Sequence, residues 1–351
     1  MTISYFLGAN SKDGFHSLYN GFCSQSGDYL SVIKGGPGTG KSGFMRKIGR
    51  AAEMCGLDVE YIICSGDPES LDGVYIPALR RSWVDGTAPH TIDPVRFGVS
   101  GDYVNLGAYL HTRPDSAECM EINALFDAYK AEYARAYAYL ASAAALRRAY
   151  MPPLFIGDAR ALIERRMHNI LRRCSSRPCA KLPEGAYTGE RHFHALSCQG
   201  EIWLSHEAEK LCTLIYQLDD GFGGADIALH ILLDEAEKLG ARAIVAPSAL
   251  DSARLDALFI PEWDVGFVSA GYDIEKARHI SLDAAIDAAA VQPYRAQLRE
   301  GRQLENQLKA RALQQLGEAK RLHDELEAHY KKHMDFTALT AYTESYIAQL
   351  F

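Results

Sequence analysis

Residues Gly35 to Ser42 read GGPGTGKS, with glycines, a lysine and a hydroxyl at the spacing that a phosphate-binding loop requires. The apolar stretch Tyr29-Leu30-Ser31-Val32-Ile33 precedes the run, and a helix-like segment from Gly40 to about Cys55 follows it. In this order, strand then loop then helix, backbone N–H groups can turn inward around a polyphosphate while the helix N-terminus adds positive potential. The expected nucleotide-binding segment is the whole run Gly35, Gly36, Pro37, Gly38, Thr39, Gly40, Lys41 and Ser42. Gly36, Gly38, Thr39 and Gly40 are its backbone donors, Lys41 reaches the β- and γ-phosphates, and the Ser42 hydroxyl ligates Mg²⁺.

Such a site needs an acid beside the loop. Ser82-Trp83-Val84-Asp85 reads as a strand ending in a carboxylate, and Asp85 is the residue expected to hold a Mg²⁺-bound water and act with Lys41 in catalysis. Gly86 follows it, so no adjacent glutamate offers a base for water, which points to slow hydrolysis or a base from elsewhere. Asp67, in Cys64-Ser65-Gly66-Asp67-Pro68, is the next carboxylate expected near phosphate, with a turn role as its alternative. His90 is a further contact candidate, with a structural histidine as the default. His192 and His194 alternate as on a strand, but no acid or thiol cluster beside them is fixed by the sequence.

The elements that must position these groups occur twice. A shift of 184 residues lays Gly40, Ala52, Glu53, Gly56, Asp67, Leu71, Asp72, Ile76, Pro77 and Val84 on identical residues from Gly224 to Val268. Tyr5 to Ala9 roughly matches His192 to Leu196. In this register Lys41 falls opposite Ala225, Ser42 opposite Asp226, Gly35 and Gly36 opposite Asp219 and Asp220, and Asp85 opposite Ser269. Carboxylates at the second loop are expected to repel phosphate, leaving that copy without nucleotide. Ile231-Leu232-Leu233-Asp234-Glu235 resembles a strand ending in a metal-binding acid pair, yet its register and helical spacing place it inside a helix.

Strands are expected at about 28–34, 58–64 and 81–85, helices at 114–150 and 155–174, and a long polar helix at about 283–333 followed by a short one at 335–350. This gives an α/β fold of parallel sheets flanked by helices, duplicated in tandem, with long helical hairpin arms. The first domain is 1–185 with a helical extension at about 114–174, and the second is 186–351 with a helical arm at about 283–350. The terminal arm reads as packing or as a surface for a protein partner. A basic run at 147–181 could meet an acidic partner, but the formal charge of −8 argues against a nucleic-acid-coating protein. No apolar run suits a leader or a membrane span, and eight scattered cysteines without Cys-x-x-Cys spacing suit a reducing, cytoplasmic setting.

The strings IKGGPGTGKSGFMRKIG, CSGDPESLDGVYIPAL, VDGTAPHTIDP and HMDFTALTAYTESYIAQLF, spread over nearly the whole chain, resemble an uncharacterised bacterial family of tandem P-loop ATPases or ATP-binding proteins, found mainly in Firmicutes. Both halves of such proteins can carry a GKS-type loop, from which this chain departs at Ala225 and Asp226. The resemblance implies ATP as ligand. The sequence therefore predicts a Mg²⁺-dependent P-loop NTPase with one working site. A small-molecule kinase and a non-catalytic, ATP-driven switch for a protein partner remain as alternatives.

Overall fold

A computed structural model describes residues 1–23, 25–87, 92–175 and 186–351. Strand β1 (Ile3–Tyr5) leads into a hairpin, β2 (Gly8–Ser11) and β3 (Gly14–Ser17), and then into β4 (Tyr29–Lys34) and helix α1 (Lys41–Met54). Strands β5 (Glu60–Ile63), β6 (Leu71–Ile76), β7 (Arg81–Asp85) and β8 (Gly101–Asn105) follow, then helices α2 (Ser116–Tyr150) and α3 (Gly157–Cys174). The second half opens with the hairpin β9 (His194–Ser197) and β10 (Gly200–Trp203), α4 (Ser205–Leu211), β11 (Leu214–Asp219) and α5 (Gly224–Lys238). It continues with β12 (Ile244–Pro247), β13 (Leu255–Ile260), β14 (Val265–Ser269) and β15 (Arg278–Ser281), then α6 (Ala288–Val291), α7 (Arg295–Lys331) and α8 (Phe336–Leu350).

The sheet orders are β1-β5-β6-β7-β4-β8 and β12-β13-β14-β11-β15. Both are mixed and not parallel throughout, because β6 and β13 run antiparallel to both neighbours. β4 is nevertheless flanked by parallel strands, as is β11, so β4, β7 and β8 end at the same edge. The frames agree in detail. A ladder irregularity at Ile62/Ile63 recurs at Ala246/Pro247, and left-handed Arg80 (φ 51°) recurs at Asp264 (φ 49°) after equivalent turns.

The halves meet through reciprocal contacts. Phe6 and His192 exchange backbone bonds of 3.0 and 2.9 Å, and Lys12 N–H to Leu250 O is mirrored by Cys198 N–H to Gly66 O. This makes Phe6 the counterpart of His192, one residue from the match read by sequence. Tyr5, Ile62, Phe193 and Phe259 share one buried cluster across that junction.

The domain assignment of the helices changes. Helices α2 and α7 lie antiparallel, since Glu118 at the start of α2 meets His333 past the end of α7, while Tyr150 at the end of α2 meets Glu305 early in α7. Each carries its chain to the opposite half. Ile163, Met167 and Leu171 of α3 pack with Leu229 and Leu258 of the second half, whereas Leu339 and Tyr346 of α8 pack with Phe44 and Trp83 of the first. Trp83 Nε1 donates to Tyr346 Oη at 2.9 Å. The 1–185 and 186–351 segments thus exchange terminal helices, and the long helix begins at Arg295, after short turns, and not at 283. Among the described residues no helix is long and apolar enough to cross a membrane.

Leu339→Ala and Leu171→Ala, both at buried sites, should each cost roughly 2–4 kcal/mol. Hydrogen exchange should show Leu339→Ala loosening β4 and β7 and Leu171→Ala loosening β11 and β14. The opposite pattern would refute the exchange.

Candidate functional site

Strand β4 delivers the chain to the sheet edge, and Gly38 (φ 68°) and Gly40 (φ 87°) take left-handed conformations that curl the loop before α1 begins at Lys41. Phe44, Met45, Ile48 and Ala52 bury one face of α1 against the sheet, which fixes the helix N-terminus over the loop. Thr39 Oγ1 donates to Gly36 O at 2.8 Å, and Pro37 stands half-buried between Gly36 and Gly38. Lys41 Nζ donates to Gly35 O (3.0 Å) and Gly36 O (2.8 Å) and lies 3.6 Å from Asp85 Oδ2. The side chains of Lys41 and Asp85 are only 10% and 16% exposed, so their charges interact with little screening.

Asp85 is the last residue of β7, and its Oδ1 accepts the Thr87 N–H (2.8 Å) and the Thr87 hydroxyl. The Ser42 hydroxyl accepts the Leu71 N–H at 3.0 Å, tying the first turn of α1 to β6. A hydroxyl and a carboxylate are hard oxygen donors, a set that suits Mg²⁺ with phosphate oxygens and water completing its shell. Among the described residues no group of three or more His, Cys, Asp or Glu is arranged to hold a metal alone.

Two groups at this edge escape a reading of the sequence by motif. The β6–β7 ladder pairs Gly73 with Val84, so Asp72, 4% exposed, emerges beside Asp85. Its sole signal in the sequence is its identity with Asp256. The second group comes from α7, which crosses the loop. A Cβ on Gly38 would meet the Glu327 carbonyl oxygen at 2.8 Å, and one on Gly36 would meet the Tyr330 ring at 3.2 Å. Further back on α7, Lys320 lies 3.6 Å from Asp67. Asp67 itself behaves as a turn residue, accepting the Ser70 hydroxyl at 3.0 Å and the Ser70 N–H on its carbonyl.

The remaining sequence candidates have other surroundings. His90 lies outside the described residues, as do parts of the 147–181 basic run. His192 Nδ1 bonds Pro247 O at 2.8 Å and burial lowers its pKa to about 4, while His194 Nδ1 meets Asp256 Oδ2 at 3.1 Å. Asp234 and Glu235 lie on α5, with buried Glu235 facing His168 and Arg172.

At the second loop the expected repulsion is replaced by a different arrangement. Asp220 Oδ1 accepts the N–H groups of Phe222, Gly223 and Gly224 at 2.8–2.9 Å, and its Oδ2 accepts that of Ala225 at 3.0 Å. The carboxylate sits where this ring of N–H groups would otherwise receive an anion. Asp226 Oδ1 takes the Leu255 N–H at 2.9 Å, repeating the bond of Ser42 to Leu71. Strand registers pair Ile33 with Asp85 and Leu218 with Ser269, so the second loop is one residue shorter and Asp220 stands opposite Gly35, not Gly36. Met151 and the Phe155 ring, from the segment after α2, stand against Gly223 and Gly224.

The end of α7 is clamped to α2 near the first loop. Glu118 accepts from His329 Nδ1 (2.9 Å) and His333 Nε2 (2.8 Å), which hold its pKa down to about 2.

No protein-family model, curated protein or solved structure matches the chain.

Asp220→Gly should lower stability by roughly 1–3 kcal/mol by leaving N–H groups without their acceptor. Millimolar inorganic phosphate should restore part of the lost melting temperature in Asp220→Gly and leave the wild type unchanged. Glu118 has a folded-state pKa depressed from 4.5 to about 2, so its contribution is complete above about 4.5 and is lost as pH falls through about 2. Melting curves from pH 6 to pH 2 should therefore show a steeper acid loss in the wild type than in Glu118→Gln.

Proposed function

We propose that the chain is a Mg²⁺-dependent nucleoside triphosphatase that uses ATP at one loop, Gly35–Ser42, and that its second half is a degenerate copy of the first. The observation that carries this reading is the contrast between two loops set in like frames. One leaves its N–H groups to a ligand and adds Lys41 and Asp85, whereas the other spends its N–H groups on Asp220. The recurring strand order, ladder irregularity and left-handed residues support descent of the halves from one unit, and the resemblance to tandem P-loop proteins supports ATP.

Gly36, Gly38, Thr39 and Gly40 donate to the phosphates, and Lys41 turns from the loop carbonyls to the terminal phosphate. Ser42 and Asp85 are the residues that would hold Mg²⁺, which when bound offsets negative charge on the phosphate oxygens. Asp85 also lies 3.6 Å from the Lys41 ammonium, which donates to the loop carbonyls. A second reading, an ATP-driven switch that acts on a protein partner, draws support from α7, because it lies on Gly36 and Gly38 and nucleotide entry bears directly upon it.

Mg·ATP binding and phosphate release should be measured on the wild type, Lys41→Ala and Ala225→Lys. Lys41→Ala should abolish release and weaken binding at least about tenfold, while Ala225→Lys, its N–H still held by Asp220, should add no second site. Binding without release would transfer the assignment to the switch, and release only with an added acceptor would transfer it to a kinase. Absence of binding would refute the reading.

A further inference from the structure

The first loop has glycines, a lysine, a hydroxyl and a carboxylate, but Gly86 stands where a water-activating glutamate could follow Asp85. Both carboxylates at the sheet edge are poor substitutes. Asp85 is engaged by Thr87 and lies beside Lys41, and Asp72 is buried against the sheet. The open side of the loop is instead closed by α7, which reaches it from the other half. Lys320 marks one end of that crossing, at Asp67, and Glu327 and Tyr330 mark the other, at Gly38 and Gly36.

His323 lies between them, one turn before Glu327. Its Nδ1 is 3.7 Å from Glu327 Oε1, and its ring lies 5.5 Å from that of Tyr129 on α2. It is also close enough to Lys41 for the two charges to interact. The Glu327 carboxylate lies on the Nδ1 side of the ring, which leaves Nε2 on the side turned away from it. Burial lowers its pKa, and Lys320 and Lys41 add to that effect against the pull of Glu327 and Asp324. The imidazole is therefore neutral and able to accept a proton at pH 7.

Resting on the proposed NTPase reading, we propose that His323, supplied by α7 of the second half with Glu327 beside its Nδ1, is the general base of the first loop. The oxygen of a water molecule forms a new bond to the γ-phosphorus as one of its protons passes to His323 Nε2. The bond from γ-phosphorus to the β,γ-bridging oxygen breaks, and its electron pair leaves with ADP. The imidazolium then returns its proton to solvent. No further reactant is required.

The test uses the full chain and compares the wild type with His323→Gln and Glu327→Gln. ATP binding by His323→Gln should stay within about threefold of the wild type, which also establishes that the variant folds. Its kcat should fall by about 10²–10⁴, the range expected for loss of a general base. The wild-type pH–rate profile should have an acid limb below 6.5 that is absent in His323→Gln. In Glu327→Gln, where a carboxylate that favours the imidazolium is gone, the limb should move to lower pH. A His323→Gln protein with near wild-type kcat and the same acid limb would overturn the proposal, as would a wild type that binds ATP without hydrolysing it. A wild type that binds no ATP would instead overturn the reading on which the proposal rests.

Discussion

The antiparallel seam between α2 and α7 governs the arrangement of everything else. Helices of 35 and 37 residues are each about 50 Å long, enough to carry the chain beyond its own sheet. Glu118 with His329 and His333 closes one end, and Arg147 and Tyr150 with Glu305 close the other. Between them the seam is lined by small residues such as Ala136, Ala143, Ala312 and Ala319, which let the helices approach closely. Because the seam is fixed at both ends, α3 and α8 land on sheets they do not belong to in sequence.

From that exchange the chemistry of the two edges diverges. Each loop is faced by chain arriving from the opposite half, but the residues that arrive differ. The first receives Glu327 and Tyr330 with His323 and Lys320 behind them, and the second receives Met151 and Phe155. An apolar cover suits a loop whose polar groups are already satisfied by Asp220, and a polar one suits a loop whose N–H groups are not. Ser42 and Asp226 make the same bond to the first residues of β6 and β13, so the two frames match where the loops differ.

The strand-loop-helix unit, the strand ending at Asp85 and the 184-residue recurrence were legible because each rests on local pattern. Strand β6 was not, since Leu71-Asp72-Gly73-Val74-Tyr75-Ile76 has a glycine inside and its antiparallel course depends on its neighbours. Asp72 went unrecognised as a site neighbour for the same reason. The apolar stripes of α3 and α8 revealed that a face is buried but not which sheet buries it. At Asp220 residue types alone set charge against charge, whereas the backbone supplies four donors that only the loop's curvature brings together. His323 and Glu327 fall in the arm that reads only as packing or as a partner surface, because nothing in their spacing reveals what that helix crosses.

The position of α8 has a further consequence for the order in which the molecule can be assembled. Its residues 336–350 cover α1 and Trp83, elements nearly three hundred residues earlier in the chain. During synthesis the first sheet and its loop emerge long before the helix that buries their outer face, so the N-terminal half waits with Phe44 and Trp83 uncovered until the last turn arrives. Contacts of such separation slow folding and leave apolar surface open meanwhile. The loop that carries the lysine is thus also the one whose surroundings are finished last.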